Sequence, residues 1–275
     1  DTIRWPLVDL GYGRYDFSTV EAFVRAAEAY RICVIWDLFH YGFPKDVNLL
    51  SPSFVGRFAD YCHAVANYLR SRVDGSLWIT PINEPSFMSY AGGEVGLFAP
   101  WLTGQGFDLK VSLAEAAIAG IDAIRAVDPD ARIVNVDPVC RVAAPPDRAD
   151  LDANVEDFNE RLVFQAWDML CGRLLPELGG SPRHLDIVGI NYYWTNQWEW
   201  GAPADADGIV PPLEEGDPRR LSLQELVRIV WRRYGSEVMI SETAHIGDRR
   251  ASWVRELETC ARVLTAEGIP LSGIC

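Results

Sequence analysis

The chain has 275 residues, 49% of them hydrophobic and 23% charged, and its formal net charge at pH 7 is -14. This composition is typical of a globular protein, and the lack of a long apolar run argues against a membrane-spanning segment. Because the negative charge would repel nucleic acids and anionic membranes, we expect neither as a partner and expect a small, uncharged substrate.

Apolar, β-branched runs and amphipathic runs alternate along the chain, which predicts strands and helices in turn. The predicted strands span residues 3–8, 32–38, 77–85, 132–137, 185–191, 237–242 and 269–275. The predicted helices span residues 16–30, 54–73, 111–127, 154–178, 221–234 and 251–267. Ser18 and Glu21 of the first helix have the spacing of a capping box, and residues 138–149 are predicted to form a loop.

Strands that are apolar throughout and alternate with helices predict a parallel sheet covered by helices. No Gly-x-Gly-x-x-Gly turn follows the first strand and no P-loop is present, which argues against a Rossmann-type fold. We therefore predict an α/β fold of the (β/α)8 TIM-barrel class that is incomplete at both ends. Residues 1–275 would form a single catalytic domain, running from the second strand of the barrel to the start of the eighth.

The active residues of such barrels lie at the carboxyl ends of several strands and in the loops after them. In this chain the predicted strand ends carry polar and acidic residues: His40, Asn83, Glu84, Asn191, Tyr193 and Glu242. No cluster of His, Asp and Glu has the spacing of a metal site, so we expect no metal, and the chemistry of these residues calls for no cofactor.

Glu84 and Glu242 end two different strands and could face each other across the barrel mouth. Glycoside hydrolysis uses such a pair: one carboxylic acid protonates the leaving oxygen, and the other carboxylate attacks the anomeric carbon or activates water. A separation of about 5 to 5.5 Å predicts retention of configuration, and about 6.5 to 9.5 Å predicts inversion. Burial would raise the pKa of Glu84 and suit it to be the acid. A solvated Glu84 in an ordinary turn is the alternative interpretation.

Five short motifs support the first interpretation. In chain order they are His40-Tyr41-Gly42-Phe43-Pro44, Thr80-Pro81-Ile82-Asn83-Glu84-Pro85, Gly96-Leu97-Phe98-Ala99-Pro100, Gly189-Ile190-Asn191-Tyr192-Tyr193 and Ile240-Ser241-Glu242. Together they resemble motifs of the family 1 glycoside hydrolases, which include β-glucosidases, β-galactosidases and their 6-phospho relatives. Asn-Glu-Pro alone is shared with related barrel families, so it is the set and its order that make the resemblance specific.

The resemblance implies a role for each matching residue. Glu84 would be the general acid/base and Glu242 the nucleophile of a retaining β-glycosidase. Asn83 would hydrogen-bond the 2-hydroxyl of the sugar, and His40 would bind another hydroxyl of the same ring. For the remaining two residues, Tyr193 would keep the nucleophile ionised and oriented, and Asn191 would line the same pocket.

The chain also departs from the family pattern. Thr243-Ala244-His245 follows Glu242 where the family has Asn-Gly, so His245 either reaches the site or caps the next loop. Tyr41 replaces a Trp, and the first-strand Gln, second-strand Arg and eighth-strand Trp and Glu of the family have no counterpart. Trp194 opens a tryptophan-rich loop, which would either stack on the leaving group of the substrate or pack a small core of its own.

We therefore predict a retaining β-glycosidase, most similar to β-glucosidases, that hydrolyses a β-glycoside or oligosaccharide by double displacement. An endo-acting glycanase with the same glutamate pair and a catalytically silent sugar-binding barrel are the alternatives. Six scattered cysteines without disulfide or metal spacing favour reduced thiols and a cytoplasmic location. The sugar, the linkage and the oligomeric state stay open, with a homo-oligomer among the possibilities.

Overall fold

The computed structural model describes residues 1–205 and 210–275. Within them the strands, numbered in chain order, are β1 Ile35–Asp37, β2 Trp78–Thr80, β3 Arg132–Pro138, β4 Arg141–Ala143, β5 Ile187–Tyr193, β6 Gln197–Glu199, β7 Glu237–Ala244 and β8 Leu271–Ile274. The α-helices are α1 Trp5–Val8, α2 Ser18–Tyr30, α3 Pro52–Arg70, α4 Pro85–Met88, α5 Gly106–Val127, α6 Asp152–Glu160, α7 Gln165–Leu170, α8 Leu223–Tyr234 and α9 Arg250–Ala266. Across these described ranges, no helix combines the length and the apolar character needed to cross a membrane.

The chain divides into two compact units, of which unit 1 comprises Asp1–Asp137 and Ala166–Ile187. Its strands β1, β2 and β3 are hydrogen-bonded side by side and parallel. Helices α3 and α5 pack closely together, because Gly120 leaves no side chain between them: an added Cβ would lie 2.9 Å from the Cys62 sulfur. The strands are joined through helices, which is what gives neighbouring strands the same direction.

The core of unit 1 is a cluster of aromatic rings around Trp5, which is fully buried. The ring of Phe39 meets Trp5 edge-on at 5.5 Å, and the ring of Tyr61 stacks on it at 5.4 Å. Trp5 Nε1 donates to Asp9 Oδ2 over 3.0 Å, so the buried indole N–H is satisfied. Because Phe39 directly precedes His40, this cluster fixes the start of the loop that follows β1.

Unit 2 comprises Pro138–Gln165 and Val188–Cys275. Strand β7 lies between β5 and β8, and β7 and β8 run parallel. The short strands β4 and β6 form a separate parallel pair. Ser222 and Glu225 form a capping box at the start of α8, which packs against α9. In both units, parallel strands alternate with helices, so the prediction of a parallel α/β fold is confirmed.

Several predicted elements differ from the observed ones. Residues 5–8 form α1 instead of a strand, because Pro6 fits the first turn of a helix and cannot donate to a strand ladder. Helix α2 begins at Ser18 itself, so the predicted capping box is wrong; the Ser18 N–H is instead accepted by Asp16 Oδ1 at 2.9 Å. The predicted loop at residues 138–149 contains strand β4.

The long helix predicted at residues 154–178 is interrupted. Its first part is α6, and Arg161 then leaves the helical conformation with φ at -128°. Its later part is α7, after which Gly172 takes a positive φ of 78°. The amphipathic pattern continues through both breaks, so periodicity alone did not reveal them.

Candidate active site

Glu84 lies in the turn that joins β2 to α4. Strand β2 ends at Thr80, so three residues separate the strand from Glu84, which is 8% exposed. Glu84 has the left-handed conformation, with φ 44° and ψ 61°, which costs a residue other than glycine about 1–3 kcal/mol. Its N–H donates to Val136 O of β3 over 3.2 Å, so the neighbouring strand holds the turn in place. Glu84 is thus a buried, conformationally fixed residue, not a solvated one in an ordinary turn.

The side chain of Glu84 is held by Tyr41. The Tyr41 hydroxyl donates to Glu84 Oε2 and accepts from Asn83 Nδ2 at 3.1 Å. Asn83 is 2% exposed, and its backbone N–H donates to Phe39 O over 3.0 Å. A hydroxyl donor stabilises the ionised form of a carboxylate. Tyr41 therefore connects two of the predicted site residues, although no role was predicted for it.

His40 lies at the surface end of the same loop. Its Nδ1 donates to Asp37 Oδ2 over 2.7 Å, and because an ionised carboxylate only accepts, Nδ1 carries the hydrogen. Asp37 is the last residue of β1, and its Oδ1 also accepts the Phe39 N–H at 3.1 Å. The His40 side chain is 39% exposed and its ring meets that of Tyr41 edge-on at 4.8 Å. This leaves an oriented imidazole that can bind a hydroxyl group.

A further carboxyl, Asp137, lies at the end of β3. It is fully buried, and burial raises its pKa to about 7. Its Oδ1 accepts the Ser86 N–H over 2.9 Å, the positive charge of Lys110 lowers this pKa, and the negative charge of Glu84 raises it. Burial in turn lowers the pKa of Lys110. Unit 1 therefore holds two coupled acidic groups, Glu84 and Asp137, near one another.

Glu242 lies in unit 2, on strand β7. The Tyr193 hydroxyl donates to Glu242 Oε2 over 2.6 Å. Asn191, two residues before Tyr193 on β5, is fully buried, and its Oδ1 accepts the Ser241 hydroxyl at 2.7 Å. Side chains of β5 thus hold two successive residues of β7. Asn191 acts on the strand that carries Glu242 and does not offer its amide to an open surface.

His245 follows Glu242 by three residues and is fixed by two tryptophans. Its ring stacks on Trp194 at 5.3 Å and meets Trp253 edge-on at 5.5 Å. The Ile246 N–H donates to His245 Nδ1 over 2.8 Å, so the neutral ring carries its hydrogen on Nε2. Trp253 Nε1 donates to Thr243 Oγ1 over 2.9 Å. The residues that depart from the family motif therefore form an ordered aromatic platform.

The other two tryptophans of the loop have a different environment. Trp198 and Trp200 both meet the ring of Phe158 of α6 edge-on, at 5.9 and 6.0 Å. They pack a small local core, whereas Trp194 packs on His245. The interpretation of a small core therefore applies to Trp198 and Trp200, and stacking of Trp194 on a leaving group stays a prediction.

The predicted site residues fall into two groups. His40, Asn83 and Glu84 are linked in unit 1, and Asn191, Tyr193, Trp194, Glu242 and His245 lie in unit 2. Sequence reasoning missed Tyr41, Asp37 and Asp137. The signal that could have found Asp137 is the one that found Glu84, namely an acidic residue closing an apolar strand. In residues 1–205 and 210–275, no group of three or more His, Cys, Asp or Glu could hold a metal ion.

Neither a comparison with protein-family models nor one with curated proteins finds a match for this chain. Solved structures do match. The AHE enzyme from Alicyclobacillus herbarius aligns with a TM-score of 0.76 and 19% identity, over 99% of this chain and 72% of that one. The family 1 β-glucosidase from Thermotoga maritima in complex with isofagomine lactam aligns with a TM-score of 0.77 and 18% identity, over 99% and 71%.

A third structure, the virulence factor SghA with its substrate analogue salicin, aligns with a TM-score of 0.75 and 18% identity, over 99% of this chain and 70% of that one. At these identities the likeness concerns the fold. The chain has an α/β fold with parallel strands, similar to that of barrel glycosidases.

Proposed function

We propose that this chain is a retaining β-glycosidase of the family 1 type, with Glu84 as the general acid/base and Glu242 as the nucleophile. One observation carries the proposal: Glu84 lies in the turn after β2 and Glu242 near the end of β7, and each carboxylate accepts a tyrosine hydroxyl, from Tyr41 and Tyr193 respectively. The similarity in fold to a family 1 β-glucosidase supports it. In this proposal residues 1–275 act as a single catalytic domain of the barrel type.

The reaction would proceed in two displacements. In the first, a Glu242 oxygen bonds to the anomeric carbon while the bond from that carbon to the leaving oxygen breaks, and Glu84 gives its proton to that oxygen. In the second, Glu84 takes a proton from water, the water oxygen bonds to the anomeric carbon, and the Glu242 carboxylate leaves. The sugar retains its configuration after two inversions, and all bonds are accounted for without a cofactor.

The site residues of unit 1 would bind the sugar beside the leaving oxygen. His40, oriented by Asp37, would bind one sugar hydroxyl. Asn83 would bind the 2-hydroxyl; its amide N–H group already reaches Tyr41, which makes the 2-hydroxyl and Glu84 part of one hydrogen-bond network. Hydrogen bonds to the 2-hydroxyl contribute most as charge develops at the anomeric carbon.

The site residues of unit 2 would orient the nucleophilic carboxylate and bind the leaving group. Tyr193 donates to Glu242 and so stabilises the charge that must attack. Asn191 would support the nucleophile through Ser241. Trp194 and His245 would offer a ring face to the apolar side of a sugar or an aryl group, with the Nε2 hydrogen of His245 as a donor. Since a neighbour binds the substrate analogue salicin, an aryl β-glucoside is a suitable first substrate.

Azide separates the two roles of the glutamates. The full chain, its E84A and E242G variants and a control, E225Q, are assayed with nitrophenyl β-glycosides, and the anomer formed is identified by NMR. Glu225 caps a helix of unit 2 and has no part in the proposed site. We expect E84A to lose about 10²–10⁴-fold in kcat, since that is the usual contribution of a general acid.

The products formed with azide should have opposite configurations. In E84A, azide replaces water in the second displacement and yields the β-glycosyl azide. In E242G, azide enters the space of the missing carboxylate and attacks the anomeric carbon of the β-glycoside in a single displacement, so the nitrophenolate leaves and the α-azide forms. An inverted product from the unmodified chain, or the same azide anomer from both variants, refutes the mechanism. Binding of the glycoside without turnover would instead identify a silent sugar-binding barrel.

A further inference from the structure

The turn that carries Glu84 lacks the usual helix cap. Glu84 stands at the N-cap position of α4, where a side chain normally accepts the N–H of a residue in the first turn, yet its carboxylate makes no such bond. The bond is made from another strand: Asp137 Oδ1 accepts the Ser86 N–H over 2.9 Å. The acidic side chain that belongs to the turn is thereby left to bind Tyr41.

Asp137 is an unusual choice for a cap, because a carboxyl is costly to bury. It is fully buried, and Asp137 Oδ2 has no hydrogen-bond partner in the described part of the chain. Two charged side chains act on it, Lys110 from α5 and Glu84 itself. An asparagine could cap the same N–H without the charge, so capping by itself does not account for an acidic residue here.

We propose that Asp137 is a positioning residue for Glu84: it caps the turn in place of Glu84 and lays a second acidic group beside the acid/base. The inference rests on the proposed function of Glu84. Coulomb coupling between two carboxyls is mutual, so if the charge of Glu84 opposes ionisation of Asp137, the charge of Asp137 opposes ionisation of Glu84. Once Asp137 is ionised, its charge opposes loss of the proton from Glu84, whereas the hydroxyl of Tyr41 favours the ionised form of Glu84.

Two substitutions separate the cap from the charge. D137N retains an oxygen for the Ser86 N–H and removes the charge, so the basic limb of the kcat/KM profile should move to lower pH by about one unit, the scale on which such carboxyls interact. D137A removes both, so the turn should relax and kcat should fall about 10²-fold with a much smaller change in KM, as expected when a reacting group is misplaced by about 1 Å.

Asp128 supplies the matched control. It is also buried, 4% exposed, and its Oδ2 accepts a backbone N–H, that of Leu77, over 2.8 Å at the opposite end of β2. D128N and D128A should lower stability and leave the pH profile in place. A D137N profile that coincides with that of the unmodified chain, or a D137A variant whose kcat falls no more than that of D128A, overturns the inference.

A titration without turnover keeps this result apart from the test of function. The chain is labelled with ¹³C in the glutamate carboxyls, and the Glu84 signal is assigned by its loss in E84Q. In D137N this signal should titrate at lower pH than in the unmodified chain, whether or not any glycoside is cleaved. If it moves while no glycoside is hydrolysed, the proposed function fails and the coupling stands; if it does not move in an active enzyme, the coupling fails and the function stands.

Discussion

Replacing Tyr41 by Phe tests the hydrogen bond on which the state of Glu84 depends most directly. The hydroxyl accepts from Asn83 Nδ2, so its own hydrogen is directed to Glu84 Oε2. The ring of Tyr41 packs on Phe87 at 5.8 Å and on Phe98 at 5.4 Å, and phenylalanine would keep both contacts. The substitution therefore removes one oxygen and leaves the packing as it is.

The size of the effect follows from the charge on the acceptor. A hydrogen bond to a charged group contributes about 1.5–3 kcal/mol, and one pKa unit corresponds to about 1.4 kcal/mol, so losing the bond should raise the pKa of Glu84 by about one to two units. The donor is lost from the ionised form, so the sign is upward. Asn83 also loses an acceptor, which should lower the free energy of unfolding by about 1 kcal/mol.

The assay is the pH dependence of kcat/KM for an aryl β-glycoside. Its basic limb marks the loss of the proton from the general acid, so Y41F should move this limb to higher pH by about one to two units. Y90F is the control, since Tyr90 is 57% exposed. A basic limb that stays in place in Y41F, or one that moves to lower pH as expected for D137N, would refute the assignment of the donor.

Three other outcomes follow from the structure. Y193F should lower kcat/KM by about 10- to 100-fold, because the charged Glu242 carboxylate loses its hydrogen bond from the Tyr193 hydroxyl. Steady-state kinetics of the variant and the unmodified chain measure this loss. For Asp137 the folded-state pKa of about 7 lies above the unfolded value of 3.8, so its stabilising contribution is full below pH 3.8 and is lost as the pH rises to about 7. The free energy of unfolding should therefore fall less over this pH range in D137N than in the unmodified chain, as measured by denaturant titration at each pH. G120A should lower the free energy of unfolding by about 1–3 kcal/mol, since its methyl group would lie 2.9 Å from the Cys62 sulfur, and should leave kcat unchanged.

The sequence predicts the elements whose signal is local. Strand β3, predicted at residues 132–137, is observed at Arg132–Pro138, and helix α9, predicted at 251–267, is observed at Arg250–Ala266. A continuous apolar run and a sustained amphipathic period each carry enough signal over one element. The same pattern extended strand β2 too far, because an apolar stretch does not show where hydrogen bonding to the neighbouring strand stops; the strand ends at Thr80.

Contacts between distant residues have no such local signal. Tyr41 and Glu84 are 43 positions apart, and Ser86 and Asp137 are 51 apart. A motif comparison treats Tyr41 as a substitution for Trp, and nothing in the sequence near position 41 says that its hydroxyl reaches a carboxylate. Conversely, Asn191 matched the motif well, and only the structure reveals that its amide is buried against Ser241. A motif identifies the residue and leaves its partner undetermined.

The two glutamates differ in their surroundings in the way the proposed chemistry requires. Glu242 must be charged when it attacks, and its carboxylate accepts a hydrogen bond from a hydroxyl donor, Tyr193. Glu84 must lose a proton in one step and regain it in the next, so neither of its states can be strongly favoured. The Tyr41 donor on Oε2 favours the ionised form of Glu84, and Asp137, once it is ionised, favours the protonated form. Opposing influences of this kind hold an acid near the balance point, and removing either should shift the activity profile in a direction that identifies which was removed.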